Sequence, residues 1–283
     1  MEFIFITGAT GNIGSHLVKL LLRDAEPFTA GLKREPESNP SYAYRVFDFN
    51  DQQSMTEAFR GFHTLFLIFP VTDHILDIGH NALEAALKAD VRHIVHSSAA
   101  GANPDSEFPL LQAHGIIDDW IITSGLKYTI TRPASFMQNY ASFFGNSIKQ
   151  GAVYSAAGKG KRAWIDVRDI AEVNAEILKN PIAHKNKVYT LTGNEVFSTA
   201  EGLQKISAII KKPIQYVEVP QRSINETMKQ RGMSEQVVKM IASVDEATRK
   251  GYFAKASHDL EKILHRQPIS FRDYVKENQQ HWN

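Results

Sequence analysis

The chain has 283 residues, of which 43% are hydrophobic, so it is long enough to bury a sizeable core as one large domain or as a domain with a lobe. Its formal net charge is +1, with acids and bases mixed along the sequence, which argues against nucleic acid or a membrane as a direct partner. Cysteine is absent, which excludes disulfides and thiolate catalysis and fits a cytoplasmic location.

The first two thirds of the chain alternate short apolar runs with helical patterns. Continuous apolar runs are typical of strands buried on both faces of a parallel sheet. They predict six strands, at residues 3–7, 28–32, 43–47, 64–69, 91–96 and 127–132. Apolar residues at helical spacing predict helices from Ile13 onward and at residues 54–59, 74–89 and 110–124. This alternation predicts an α/β fold with a doubly wound Rossmann-type parallel sheet.

The last third has a different pattern. Ser198, followed three residues later by Glu201, predicts a capping box that opens a helix ending near Ile210. A strand is predicted at residues 214–219, and helices follow at 222–231, 235–250 and 271–281. We therefore expect residues 1–183 to form mainly the Rossmann-type domain and residues 184–283 to form mainly a small C-terminal α/β lobe.

Three glycines stand between the first strand and the first helix. Gly8, Gly11 and Gly14 have the G-x-x-G-x-x-G spacing that permits a tight turn, close approach to a pyrophosphate, and packing of helix on strand. The helix N-terminus then offers free N–H groups to phosphate. The segment predicts a dinucleotide site whose further contacts are Thr10, Asn12 and Ile13. The alternative is a glycine-rich turn without a ligand.

The end of the second strand indicates which cofactor is preferred. Lys33 and Arg34 come first, as expected for a clamp on the 2′-phosphate of NADP(H). The alternatives are a solvated charge cluster without a ligand, or NAD(H) binding through Glu35, which lies one residue further. After the third strand, Asp48 and Phe49 are predicted to contact the cofactor. The Asp48 carboxylate would accept from the adenine amino group, and the alternative is a turn carboxylate.

The chain resembles atypical short-chain dehydrogenase/reductases of the NmrA-like type. The resemblance rests on "TGATGNIG" at residues 7–14, "SGLKYTITRPASFMQN" at 124–139 and "WIDVRDIAEV" at 164–173. It implies a Rossmann domain with a small substrate lobe, and a group that includes NADPH-dependent quinone reductases, dye reductases and redox-sensing regulators. It also implies that loops after the fourth to sixth strands line the nicotinamide, through Phe69, Pro70, Ser97, Ser98 and residues 133–136, which begin with Pro133.

The chain departs from the superfamily at the catalytic helix. No tyrosine has a lysine four residues later, and matching "AHGIIDD" to the family pattern puts His114 in the place of the lysine and Leu110 in the place of the tyrosine. His114 is the candidate proton donor, a candidate cofactor contact, or a structural histidine. Sugar-nucleotide epimerase chemistry needs the tyrosine, so that function loses most of its support.

A further set of candidates follows the sixth strand. Phe136, Asn139 and Tyr140 are predicted substrate contacts, although the aromatic residues here also have the spacing of a core-packing stripe. Asp166 or Asp169 is expected to cap the next helix. The histidines have no metal-site spacing, and no G-x-S-x-G motif indicates a hydrolase.

These patterns favour an NADPH-dependent reductase that transfers hydride directly to a small conjugated or aromatic electrophile such as a quinone. Such an acceptor needs no strongly tuned protein acid, so the missing tyrosine does not forbid the chemistry. The alternative is a regulatory protein that binds NADP and senses redox state without turnover. The sequence does not determine the substrate or the oligomeric state.

Overall fold

The structure, a computed structural model, describes residues 3–283. The chain divides into two compact units. The first runs to Ser106 and includes Leu111–Arg132 and Ile170–Tyr189, and the second contains Glu107–Leu110, Pro133–Asp169 and Thr190–Asn283. These units differ from the predicted ranges of residues 1–183 and 184–283 in that residues 133–169 group with the C-terminal segment. The assignment of a cofactor domain and a substrate lobe stays a prediction.

Eleven strands form within the described residues. In chain order, β1 to β11 are Ile4–Ile6, Phe28–Leu32, Ala43–Val46, Thr64–Leu67, His93–Ser97, Lys127–Pro133, Ala152–Ser155, Lys161–Ala163, Lys187–Leu191, Val196–Ser198 and Gln215–Glu218. Seven of them form one sheet in the order β3-β2-β1-β4-β5-β6-β9. The neighbours from β3 through β6 pair in parallel. The order reverses between β1 and β4, which is the switch point of a Rossmann-type sheet, and the predicted fold class is confirmed.

The other strands explain why the division differs from the prediction. β8 pairs antiparallel with β10, and β7 pairs in parallel with β11. Both pairings join residues 152–163 to residues 196–218. Periodicity had not predicted β7, β8 or β9, since these short strands are partly exposed.

Twelve α-helices accompany the strands in the described part of the chain. In order, α1 to α12 are Asn12–Arg23, Gln52–Phe59, Ile75–Lys88, Pro109–Thr123, Gly145–Lys149, Val167–Lys179, Pro181–His184, Thr199–Ile210, Gln221–Gln230, Glu235–Arg249, Asp259–Leu264 and Phe271–Glu277. Short 3₁₀ turns occur at Met137–Tyr140 and Gln279–His281. The predicted helices are present, with ends shifted by one or two residues, except that the last predicted helix breaks at Asn278 into α12 and a 3₁₀ turn.

Local side-chain bonds fix two helix starts as predicted. At α8, the Ser198 hydroxyl accepts from the Glu201 N–H, and the Glu201 carboxylate accepts from the Ser198 N–H, so the capping box is confirmed. At α6, Asp166 Oδ1 accepts from the Arg168 N–H at 2.9 Å, and Asp169 lies in the first turn. Asp169 instead accepts from the Ile269 N–H and pairs with Arg266.

The core of the second unit is aromatic. Tyr140 is fully buried and lies with its ring 4.9 Å from Trp164 and 5.0 Å from Phe271. The Trp282 indole donates to the Tyr140 carbonyl at 2.8 Å, which ties the end of the chain to this core. The core-packing alternative for the aromatic stripe therefore describes Tyr140, and its predicted role as a substrate contact does not agree with this position.

Candidate functional site: a dinucleotide cleft at the sheet switch point

The glycine turn has the geometry that its spacing predicts. Gly8 has a φ of +66°, which side-chain-bearing residues rarely adopt, and the Gly11 N–H donates to the Gly8 carbonyl at 2.9 Å to close the turn. A Cβ on Gly14 would lie 2.0 Å from the Gly8 oxygen, so only glycine lets α1 pack this closely on the turn. Gly11 is the N-cap of α1 and makes no side-chain capping bond.

A cleft of about 560 Å³ opens beside this turn, within the first unit. Most of its residues lie at or just after the carboxyl ends of β1, β2, β3 and β4. In doubly wound sheets, ligands bind at this edge, where the strand order reverses. The cleft is lined by Gly8, Thr10, Gly11, Gly31, Leu32, Lys33, Phe47, Asp48, Phe49, Asn50, Ile68, Phe69, Pro70, Thr72, His74 and Ile78. Eight of these were predicted cofactor contacts.

Aromatic rings form one wall of the cleft. The Phe49 ring lies 4.8 Å from Phe47 and 5.8 Å from Phe69, in edge-to-face pairs. Edge-to-face packing fixes the rings relative to one another and leaves an apolar surface. Gly31 permits this packing, because a Cβ there would lie 2.6 Å from the Phe47 ring and 2.7 Å from that of Phe5. The wall suits a flat aromatic or heterocyclic group.

Lys33 gives the cleft a positively charged side chain. Lys33 lines the cleft and is exposed, whereas Arg34 is exposed but is not a lining residue. The Glu35 carboxylate accepts a hydrogen bond of 2.7 Å from the Tyr44 hydroxyl. Asp48 lines the cleft, but its Oδ1 already accepts from the backbone and the side chain of Asn50 at 2.9 and 3.0 Å. That arrangement matches the turn-carboxylate alternative for this oxygen.

Two other predicted contacts after the first glycine lie differently. Asn12 is exposed at the start of α1. Ile13 is buried at 2% exposure in the core, so only its backbone N–H is placed for a phosphate at the helix start. The Thr7 hydroxyl accepts from the Ile68 N–H at 2.9 Å and fixes the end of β1 beside the end of β4.

Beyond β5 the structure contains a buried polar cluster. Ser98 Oγ donates to Asp118 Oδ2 at 3.0 Å, and the Arg132 guanidinium donates to the same oxygen at 2.9 Å. Burial raises the pKa of Asp118, while Arg132 and Ser98 act in the opposite direction. Ser97 is also buried, and within the described residues its hydroxyl has no hydrogen-bond partner. The predicted nicotinamide contacts Ser97 and Ser98 are thus inward-facing, with one of them engaged by Asp118.

Two histidines complete this cluster. His96 Nδ1 lies 3.1 Å from the Leu67 carbonyl, which can only accept, so the neutral ring carries its proton on Nδ1. His96 Nε2 then faces Asp118 Oδ1 at 3.6 Å. The His114 ring lies 6.4 Å from that of His96. Burial lowers the pKa of both histidines to about 4, so both are neutral at pH 7 and neither is a ready proton donor.

His114 does not line the cleft. It is 7% exposed, and its Nδ1 has no hydrogen-bond partner in the described part of the chain. The His96 ring lies 5.3 Å from Phe69, so the cluster is adjacent to the cleft through that wall residue. The roles of His114 as proton donor or cofactor contact stay predictions, and its neutral state favours the latter.

The remaining predicted contacts belong to the second unit. Pro133 is buried, whereas Phe136 and Asn139 are half-buried. Their predicted contacts with cofactor and substrate stay predictions. Sequence reasoning did not single out His96, Asp118 or Arg132. One signal was present, since Asp118 follows His114 by four residues and so shares its helix face in an otherwise apolar pattern.

Among residues 3–283, no helix combines the length and apolar character needed to cross a bilayer. The same range contains no group of three or more His, Asp or Glu side chains placed to hold a metal ion.

Comparisons with known proteins agree with this architecture. The model of the NmrA-like family matches residues 1–275. The chain is 28% identical to the NAD(P)H azoreductase of Xenophilus azovorans, covering 96% of each protein. It is 25% identical to quinone oxidoreductase 2 of Escherichia coli, covering 92% of this chain and 93% of that protein. The solved structure of Citrobacter sp. triphenylmethane reductase complexed with NADP(H) has a TM-score of 0.85 at 25% identity and covers 97% of this chain and 99% of its own. The chain belongs to the NmrA-like family.

Proposed function

We propose that this protein is an NADPH-dependent reductase that transfers hydride directly to a small conjugated or aromatic electrophile. The cleft at the switch point is the observation that carries the proposal. It combines a glycine turn, a helix start, an apolar aromatic wall and one lining cation. These are the groups that a dinucleotide with a 2′-phosphate requires.

The residues present fit such a cofactor. Close backbone approach requires a turn without side chains, and Gly8 and Gly11 line the cleft without a Cβ. The Phe49 and Phe69 rings provide a surface for a heterocycle. Lys33 provides a charge-assisted contact for the 2′-phosphate. When bound, NADPH supplies the hydride.

The chain's own share of the reaction is to bind, orient and exclude water. Hydride transfer needs the reacting carbon and the acceptor in near contact, and much of the barrier is lowered by that positioning. A quinone or azo acceptor that gains a hydride becomes an anion and then takes one proton. Because His96 and His114 are neutral at pH 7, we assign that proton to water.

Three of the relatives support this substrate class. Azo compounds, quinones and triphenylmethane dyes are flat, conjugated electrophiles, and the named relatives are reductases of these compounds. The same names leave the alternative of a sensor without turnover with less support. A quinone is our preferred acceptor, and azo and triarylmethane dyes are the next to test.

Turnover is the first test. Purified protein should consume NADPH, followed by the loss of its near-ultraviolet absorbance, in the presence of small quinones, azo dyes or triarylmethane dyes. The same assay with NADH should be slower at subsaturating cofactor. No consumption across the panel, with tight binding of both redox states of the cofactor, would favour the sensor.

A matched pair of variants tests the cofactor end of the cleft. Lys33→Gln should weaken NADP⁺ binding by roughly 10-fold or more, since hydrogen bonds to charged groups contribute about 1.5–3 kcal/mol, with little effect on NAD⁺. Arg34→Gln removes an adjacent charge that does not line the cleft and should change NADP⁺ affinity by less than about 3-fold. Equal effects of the two variants would contradict a specific role for Lys33.

A further inference from the structure

The position of Glu35 conflicts with a 2′-phosphate site unless something holds its carboxylate. A carboxylate shortly after the second strand is the group that accepts from the ribose hydroxyls in NAD-binding sites. It would also repel the phosphate of NADP. Glu35 lies three residues beyond the end of β2 and two residues beyond Lys33, which lines the cleft.

In the structure, the Glu35 carboxylate is engaged elsewhere. Its Oε2 accepts from the Tyr44 hydroxyl at 2.7 Å. Tyr44 belongs to β3, where its Cα partner across the parallel ladder is Ala30 of β2. The pairing of β3 with β2 therefore fixes the position of the Tyr44 backbone, whereas Glu35 lies in the connection after β2. The carboxylate beside it raises the pKa of the Tyr44 hydroxyl, so this hydroxyl remains a donor at neutral pH.

We propose that Tyr44 is a specificity-determining positioning residue, which selects NADP(H) over NAD(H) by holding the Glu35 carboxylate away from the ribose end of the cleft. The inference rests on the proposed NADP(H) site. With Glu35 tethered, Lys33 is the charged lining residue that follows directly after β2. Without the tether, the carboxylate is able to accept from a ribose hydroxyl of NAD(H) and to repel the extra phosphate.

The expected effect is a change of ratio and not a loss of binding. Tyr44→Phe removes only the hydroxyl and keeps the ring in β3. The ratio of the dissociation constants of NAD⁺ and NADP⁺ should fall by about 3- to 10-fold, the scale of one surface hydrogen bond. Both dissociation constants should contribute to this fall, because NADP⁺ should bind more weakly and NAD⁺ more tightly.

Three companion variants make the test specific. Glu35→Gln removes the charge, so the ratio should stay at or above that of the wild type. The double variant Tyr44→Phe/Glu35→Gln should match Glu35→Gln, because Tyr44 acts through the carboxylate. Tyr42→Phe is the matched control, since it removes a phenol hydroxyl two residues away, from a ring that packs on Phe28, and should leave the ratio unchanged.

The measurement is calorimetric titration of each purified variant with NADP⁺ and with NAD⁺. A wild-type preference for NADP⁺ that Tyr44→Phe leaves unchanged would overturn the inference and leave the proposed function standing. The same fall in Tyr44→Phe and in the double variant would also overturn it, because Glu35 would then not be the mediator. A wild-type protein that binds neither nucleotide would overturn both.

Discussion

Replacing Gly14 with alanine tests whether the glycine turn is built for packing or for ligand contact. Gly14→Ala would put a Cβ 2.0 Å from the Gly8 oxygen, 2.7 Å from the Gly8 carbonyl carbon and 2.9 Å from Ala9 Cα. All three atoms are backbone, so no side chain can rotate away. The turn or the start of α1 must move to relieve the overlap.

The magnitude follows from two opposing effects. Overpacking typically costs about 1–3 kcal/mol, and a backbone neighbour puts this site at the upper end. Alanine in a helix gains up to about 1 kcal/mol over glycine. We expect a net loss of about 2 kcal/mol in the free energy of unfolding, which lowers the melting temperature by roughly 3–4 °C for a chain of this size. NADP⁺ affinity should fall as well, because the turn is displaced.

Gly11→Ala is the matched control with the opposite outcome. Gly11 has φ −79° and ψ 178°, which suit alanine, and its Cβ would meet only the Gly8 oxygen, at 3.2 Å. Its stability should stay within about 1 kcal/mol of the wild type, since the change at this N-cap costs only a small amount. NADP⁺ binding should weaken by about 10-fold or more, because Gly11 lines the cleft and the added methyl group would occupy space that the cofactor needs.

Chemical and thermal denaturation give the stabilities, and calorimetric titration gives the affinities. A Gly14→Ala variant as stable as the wild type would refute the packing argument for the third glycine. A Gly11→Ala variant with unchanged NADP⁺ affinity would refute the view that the cofactor backbone approaches the second glycine. Equal loss of stability in both variants would show that the separation of roles is wrong.

Three further predictions concern stability. Acidification from about pH 7.5 to 5 should lower the free energy of unfolding by roughly 2 kcal/mol for each of the buried residues His93, His96 and His114. Burial lowers their folded pKa from 6.5 to about 4, so the stability present above pH 6.5 is lost as pH falls toward 4. Urea titrations should show this loss, and a flat profile would contradict it. Arg132→Met should cost about 3 kcal/mol in the same assay by leaving the Asp118 carboxylate buried without a cation, and adding Asp118→Asn should recover part of the loss. Gly202→Ala should lower the free energy of unfolding by about 1–3 kcal/mol, since its Cβ would lie 2.1 Å from the Tyr140 hydroxyl, and adding Tyr140→Phe should recover part of that loss. An unchanged melting temperature in Gly202→Ala would contradict this close packing.

The glycine turn could be predicted because its residues are close in sequence. Three glycines at fixed spacing specify a turn and a helix start, and the residues at the end of the next strand are set by where that strand ends. The same locality explains the accuracy of the capping box at Ser198 and of the amphipathic helix at Ile13. In each case the physical cause acts over one or two turns of chain.

Three arrangements were decided only by the tertiary structure. Asp118, Arg132 and His96 come from α4, β6 and β5, so their contact depends on strand order, which periodicity does not encode. The spacing of Tyr140 fitted a core-packing stripe somewhat better than a substrate wall, and the aromatic packing of the second unit shows that Tyr140 lies in the core. Residues 133–169 join the C-terminal segment because β7 and β8 pair with strands far along the chain.

The sequence by itself thus determined the class of fold and the glycine turn, which depend on local periodicity and on glycine geometry, and its motifs at residues 7–14, 124–139 and 164–173 indicated the family. The tether between Glu35 and Tyr44 shows what it could not determine. Both residues are visible in the sequence, but their contact arises only because β2 and β3 pair in parallel. Long-range pairing brings together side chains whose separation along the chain carries no signal, so only the tertiary structure could show this contact.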